Sequence, residues 1–275
     1  MDNIFTHTIH ITHTGKKQVI SLVEIVTELS AHAASKLYIT CDAYTQLLFT
    51  CAPVQINTFL SIELVVGAHA QVEFLWQQES LAQEKTALHG SFFLKEQASL
   101  KAVFIVNKKN KHTQLDLETV LLEPYAQAYI TTLHVLDAEQ DYRLVASQIH
   151  KAPHTLSRLT TRGIVSGTAK AFCKGVVKIE EQADYADAAQ YTKQLVFGSR
   201  VRVENLPLLE VHTKKVSCKH GSAVGSINLD DVWYLASKGI DVHTAQLICK
   251  EAFLRSALQD SGLQLETDTI MNSLR

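Results

Sequence analysis

The chain has 275 residues, a formal net charge of −2 at pH 7 and 46% hydrophobic residues. A chain of this length can bury a large core, and its charge balance provides no basic field for nucleic acid or anionic lipid. Five cysteines, an odd number at wide spacing, are typical of reduced thiols in the cytoplasm. No apolar run reaches the length of a membrane span and no signal-peptide pattern opens the chain. We therefore expect a cytoplasmic protein that has neither nucleic acid nor membrane partners.

Residues 1–17 are predicted to be a flexible N-terminus, and strand-like sequence follows over 18–227. Short apolar or alternating runs rich in β-branched residues recur through this range, whereas helical periodicity is scarce. Examples are Val19–Val26, Ile56–Val66, Val72–Trp76, Leu100–Val106, Leu115–Leu122 and Ala128–Val135. The pattern predicts an all-β body.

Turn-like sequences recur at a regular interval within this body. Ala70, Ala98 and Ala126 are 28 residues apart, and each interval holds two strand-like runs. Similar turns at Ser166–Ala171 and Gly198–Val203 are expected to continue the series with some drift. Such repeats are typical of a solenoid, here a right-handed parallel β-helix with two strands per coil or a flattened form of it. An antiparallel sandwich with regular hairpins fits the same pattern.

The pattern changes at residue 228, and we predict a C-terminal helical subdomain over 228–275. Asn228 or Asp230 is a suitable N-cap for a first helix, and Gly239 ends that helix. A second helix follows over Val242–Leu258, where apolar residues recur at helical spacing. The subdomain is suited to cap the open end of a solenoid. The chain is thus predicted to be all-β with a small α end.

Cys218 and His220 form a Cys-x-His pair near the end of the strand-like region. Residues i and i+2 of a strand point to the same side, so the two side chains can offer sulfur and nitrogen to one metal ion. Two donors make half a metal site, and a buried thiol beside a surface imidazole accounts for the same residues. Gly221 permits a tight turn, or the close approach of another backbone.

His150, His154 and Ser157 are the residue types of a hydrolase site. However, no Gly-x-Ser-x-Gly elbow surrounds Ser157, and the sequence places no acidic partner beside it. A structural role in a strand wall is the alternative. The sequence also contains no Walker loop, Gly-x-Gly-x-x-Gly motif or Cys-x-x-Cys motif. We therefore expect no nucleotide or redox machinery in this chain.

The C-terminal region resembles the signature of the SufB/SufD family, scaffold proteins of iron–sulfur cluster assembly. The matching positions are Cys218, His220, Gly221, Val224, Gly225, Tyr234, Leu235, Lys238, Gly239 and Ile240. The segments His150–Ser157 and Pro207–Val211 add to the resemblance, which is clear from about residue 145 to 258. The two glycines after His220, Gly221 and Gly225, favour the SufD branch, and SufB-like chains tend to have glutamate at the position of Gly221.

The resemblance implies a parallel β-helix core, and a SufD-like scaffold in place of an enzyme. Such a chain pairs with a SufB-like subunit, or with a second copy of itself, and docks a SufC ATPase through its C-terminal helices. Phe253 and Leu254 are the expected apolar contacts to the ATPase. Cys218 and His220 are candidate iron or cluster contacts at the partner interface. No tightly bound cofactor is expected in the isolated chain, only a transient cluster or iron shared with the partner.

Many family members also have a helical N-terminal region, and we expect none here because strand-like sequence begins near residue 18. Two alternatives from other classes are a β-helix carbohydrate-active enzyme and a purely structural β-solenoid. The first needs acidic residues clustered at one strand register, and we predict no such cluster. Iron-dependent absorbance in the assembled complex would separate the second from a scaffold.

Overall fold

The computed structural model describes residues 5–11, 18–21, 34–41, 46–51, 59–78, 83–107 and 110–261. Strands occupy most of these ranges. They are β1 (Phe5–Ile11), β2 (Gln18–Ser21), β3 (Ala34–Cys41), β4 (Gln46–Cys51), β5 (Phe59–Val66), β6 (Gln71–Gln78), β7 (Gln83–Leu94), β8 (Ser99–Val106), β9 (Asn110–Leu121), β10 (Gln127–Leu136), β11 (Asp141–His150), β12 (Leu156–Ser166), β13 (Lys170–Ile179), β14 (Asp187–Phe197), β15 (Arg202–Val211) and β16 (Ser217–Gly225). Two helices follow, α1 (Leu229–Ser237) and α2 (Val242–Ser261). Neither of them is long and apolar enough to cross a membrane.

The strands form two parallel sheets that wind together as a solenoid. Sheet A contains the eight odd-numbered strands and sheet B the eight even-numbered strands, in chain order. Each strand pairs in parallel with the strand two positions further along, so β10 lies between β8 and β12. Each coil therefore contributes one strand to each sheet. This topology confirms the predicted parallel β-helix and excludes the antiparallel sandwich.

The 28-residue repeat corresponds to one of the two corners of each coil. Ala70, Ala98 and Ala126 are fully buried at this corner, and backbone hydrogen bonds between coils run from 99 to 70 and from 127 to 98. The turns at 166–171 and 198–203 connect sheet B to sheet A and thus lie at the opposite corner. These two turns were expected to continue the 28-residue repeat, and that expectation is wrong. Both corners have a short turn before a strand, so their sequences look similar.

The sheet begins earlier than the sequence predicts. Phe5–Ile11 is strand β1 and pairs in parallel with β3, although it lies within residues 1–17, where a flexible N-terminus was expected. Its apolar residues Phe5, Ile9 and Ile11 are separated by even intervals, which fits the period of a strand. The prediction is corrected for Phe5–Ile11; residues 1–4, 12–17 and 262–275 lie outside the described ranges.

The first helix begins and ends where its capping residues predict, whereas α2 continues to Ser261, three residues beyond the predicted Leu258. The Asn228 side-chain oxygen accepts a hydrogen bond from the Asp230 amide at 3.2 Å, and Gly239 takes a left-handed conformation (φ +89°) after α1. Besides α1, the helix α2 contacts β8, β10 and β12 on the outer face of sheet B. Leu254, Ala257 and Leu258 are buried there. The expectation that these helices cap the open end is therefore wrong for α2, whose apolar side covers a sheet face.

Candidate functional site

The last coil leaves both sheets with an open edge. Among the described strands, β15 pairs only with β13 and β16 only with β14. Apolar side chains are exposed along this edge, with Leu208 at 40% and Val224 at 50%. Pro207, which lacks a backbone N–H, also lies on β15, as is usual for an edge strand. An edge of this kind is a template for pairing with another chain.

Cys218 and His220 lie on β16 at this open end and point to the same, inward side. Cys218 is half-buried against the end of the core, beside Ala188, and His220 lies beside Gln190 in the register with β14. The predicted shared strand face is thus confirmed. Burial raises the pKa of the Cys218 thiol, and the Asp187 carboxylate acts in the same direction.

The two donors provide half of a metal site. His220 is exposed, and its ring makes no hydrogen bond to the residues that the structure describes. No group of three or more histidine, cysteine or acidic side chains in those residues could hold a metal ion. Thiolate and imidazole both suit iron, so further ligands from another chain would complete a site here. The role of Cys218 and His220 stays a prediction.

Gly221 makes room for an aromatic ring and forms no turn. β16 continues through it to Gly225, and a Cβ on Gly221 would lie 2.9 Å from Cδ1 of Tyr191 on β14. Both uses predicted for this glycine, a tight turn and the close approach of another backbone, are therefore wrong. The neighbour is a side chain on the outer face of sheet B, away from the side that carries His220.

His150, His154 and Ser157 do not form a catalytic group. The His150 ring bonds to Ser157 Oγ at 2.8 Å and to Thr155 Oγ1 at 2.7 Å, and all three residues are buried. Burial lowers the pKa of His150 to about 4. His154 lies on the surface, stacked between the rings of Tyr125 and Tyr185. These contacts fit the structural role in the strand wall.

Two acidic residues lie at one register position on the outer face of sheet A, where the sequence was expected to have no repeated acid. Glu63 and Glu118 share one register position, with Ser91 on the strand between them. The sequence was expected to have no repeated acid at one register, because pairing partners 28 and 27 residues apart are not apparent before the coils are aligned. Lys36 lies 3.7 Å from the Glu63 carboxylate and partly neutralises it.

The helical end also exposes apolar side chains on both helices, which together we call the helix patch. Its side chains are between 41% and 64% exposed, and they are Leu229, Trp233, Tyr234, Val242, Leu247 and Ile248. The predicted contacts Phe253 and Leu254 are elsewhere. Leu254 is buried against sheet B. The centroid of the Phe253 ring is less than 6 Å from the cationic groups of Arg162 and Lys193. Both residues attach α2 to the β-helix. The expected partner contact is wrong for Leu254, which is buried, and stays a prediction for Phe253, which is half-buried.

Comparison with known proteins places this fold in a family. Residues 9–253 match the model of the SUF system FeS cluster assembly SufBD core domain. The iron–sulfur cluster assembly protein SufD of Escherichia coli is 29% identical over 187 residues, which are 67% of this chain and 41% of that protein. Protein ABCI7, chloroplastic, of Arabidopsis thaliana is 27% identical over 187 residues, 67% of this chain and 39% of its own length.

A SufBD family protein of Synechocystis is 24% identical over 201 residues, 73% of this chain and 44% of that protein. The chain thus spans about two-fifths of the length of the relatives it matches. The matched family domain covers nearly the whole β-helix, all of α1 and the first part of α2. The chain belongs to the SufB/SufD family of the SUF iron–sulfur cluster assembly system.

Proposed function

We propose that this chain is a SufD-like scaffold subunit that pairs with a SufB-like subunit through the open edge of β15 and β16. The observation that carries the proposal is the juxtaposition, on one uncovered edge, of exposed apolar side chains with the thiol and imidazole of Cys218 and His220. A partner edge would bury the apolar residues and bring its own ligands to the two donors. A second copy of this chain is the alternative partner.

The cargo of such an interface is iron and sulfide, held transiently as a nascent cluster. Cys218 is predominantly protonated at neutral pH because burial raises the pKa of its thiol, so iron binding would release the proton. His220 is free to ligate iron or to accept a proton as sulfide arrives. The chain performs no catalysis of its own in this proposal, and ATP hydrolysis belongs to the SufC subunit. Action in the cytoplasm stays a prediction.

Charge placed on the edge should prevent pairing. We expect Leu208→Lys combined with Val224→Lys to weaken binding to a SufB-like partner at least about tenfold, because edge lysines disfavour strand pairing and apolar contact is lost. Light scattering on the mixed chains and titration calorimetry measure this. Leu122→Lys is the matched control, because Leu122 directly follows β9, three strands away from β15 in sheet A. Unchanged affinity of the edge variant would refute pairing through β15 and β16.

The helix patch is proposed to dock the SufC ATPase. Trp233→Ala with Tyr234→Ala should lower binding of a SufC-type ATPase at least about tenfold, because exposed aromatic anchors dominate interface energies. Both side chains are more than 60% exposed, so the fold should be retained. A pull-down with purified ATPase tests this, with Leu122→Ala as control. Wild-type binding by the double variant would reject the docking role of the patch.

Point variants are the better test of docking than removal of the helices. The face of sheet B beneath α2 is apolar and includes Val103, Ile105 and Leu133. Deleting the helices would expose this face and promote aggregation, and a loss of binding would then have two causes.

A further inference from the structure

Two buried glutamines of β14 connect the two sheets across the core at the last coil. Gln190 and Gln194 point inward and are 3% and 0% exposed. Gln190 Nε2 donates to the backbone carbonyl of Leu208 at 3.2 Å, and Gln194 Nε2 donates to Oδ1 of Asn205 at 2.6 Å. Both acceptors are on β15. The amides therefore link sheet B directly to the edge strand of sheet A.

The core is shaped around these side chains. A Cβ on Gly175 would lie 2.3 Å from Gln190 Oε1, and a Cβ on Gly163 would lie 2.8 Å from Gln194 Oε1. Glycine inside a strand weakens it, so two such positions mark places where another group needs the space. Gln194 Oε1 also accepts a hydrogen bond from His134 Nε2 at 2.9 Å, which fixes the amide orientation.

The register position of Gln190 is apolar in the earlier coils, where Phe74, Ala102, Ile130 and Leu159 occupy it in turn. Phe74 packs there against Phe92 and Phe104, with ring centroids 5.6 to 5.8 Å apart. A buried hydrogen bond is close to neutral for global stability when compared with an apolar group of the same shape. Its particular contribution is direction, because it holds donor and acceptor at one distance and angle. In the last coil, β15 has a neighbouring described strand on one side only. The hydrogen bonds from Gln190 and Gln194 therefore stabilise the position of β15 in place of a further coil.

The same glutamines stand beside the candidate site. Gln190 pairs in register with His220, and Ala188, two residues before it, pairs with Cys218. We propose that Gln190 and Gln194 are positioning residues, which hold β15 relative to β14 and β16 so that Cys218 and His220 are presented at a constant spacing from the apolar edge. The consequence for partner binding rests on the proposed function; the positioning itself does not.

The test compares two buried glutamines in the full chain without any partner. Gln190→Met retains the size of the side chain and removes its donor. Gln148→Met is the matched control, because Gln148 is equally buried on β11 and its amide makes no hydrogen bond to the residues the structure describes. Backbone hydrogen exchange over 202–225 and the alkylation rate of Cys218 by iodoacetamide are measured, together with global unfolding in denaturant.

We expect Gln190→Met to accelerate exchange over 202–225 and alkylation of Cys218 by about fivefold, the factor for one hydrogen bond of ordinary strength. Gln148→Met should change neither rate. Unchanged rates in Gln190→Met would overturn the proposal, and so would an acceleration spread evenly over β9, β11 and the edge, since that reports general destabilisation. A SufB-like partner is then added: local acceleration with unaltered partner affinity would support the positioning and contradict pairing through this edge.

Discussion

Replacing His220 with alanine should reduce the yield of iron–sulfur cluster in the assembled complex at least about tenfold, the loss typical when a group that serves a metal is removed. The imidazole is exposed on the open edge, on the same side as Cys218, and makes no hydrogen bond within the described residues. Its removal should therefore change the unfolding free energy by less than about 1 kcal/mol. Cluster absorbance in the reconstituted complex, with denaturant unfolding of the chain alone, measures both effects.

The matched control for this experiment is His112→Ala, which removes an imidazole from β9 on the outer face of sheet A. It should leave the cluster yield unaltered. Equal yields for wild type and His220→Ala would show that His220 is not a cluster contact. Reduced yield accompanied by lower partner affinity would instead show that the imidazole contributes to pairing, and the affinity measurement separates the two.

The fold was predictable because a solenoid repeats its local pattern. Strand-length apolar runs and the 28-residue spacing of Ala70, Ala98 and Ala126 indicated two strands per coil, but an antiparallel sandwich fitted them too. The family resemblance favoured the parallel β-helix. The ends of α1 were predictable from Asn228 and Gly239, since caps depend on local conformation. The assignment of turns to two corners was not, because a turn sequence does not say which sheet the preceding strand belongs to.

Only those features of the site that depend on the geometry of a single strand were predictable from the sequence. The alternation of side chains was enough to place Cys218 and His220 on one face. The contacts of Phe253 and Leu254 depend on which face of which sheet receives α2, and no local pattern determines that. The cross-core bonds of Gln190 and Gln194 were equally inaccessible, because their acceptors lie 18 and 11 residues further along the chain, on the other sheet.

Gly163→Ala should be among the most destabilising small substitutions in the chain, at about 3 kcal/mol or more. The added Cβ would lie 2.0 Å from His134 Nε2, far inside any normal contact. His134 cannot yield easily, because it is fully buried and its ring centroid lies 4.5 Å from that of Tyr142. Displacing the imidazole would also break its hydrogen bond to Gln194, the residue whose amide donates to Asn205 on β15.

Denaturant unfolding of wild type, Gly163→Ala and Gly225→Ala measures the cost. Gly225 is the matched control, because a Cβ there meets nothing within 4 Å, and its replacement should change stability by less than about 0.5 kcal/mol. The background His134→Ala provides a double-mutant cycle: with the imidazole removed, the further cost of Gly163→Ala should fall by more than half if the clash is its cause. An undiminished cost in that background would mean that the strand backbone itself requires glycine at 163. A falling cost would show that Gly163 leaves the space that the His134 imidazole occupies.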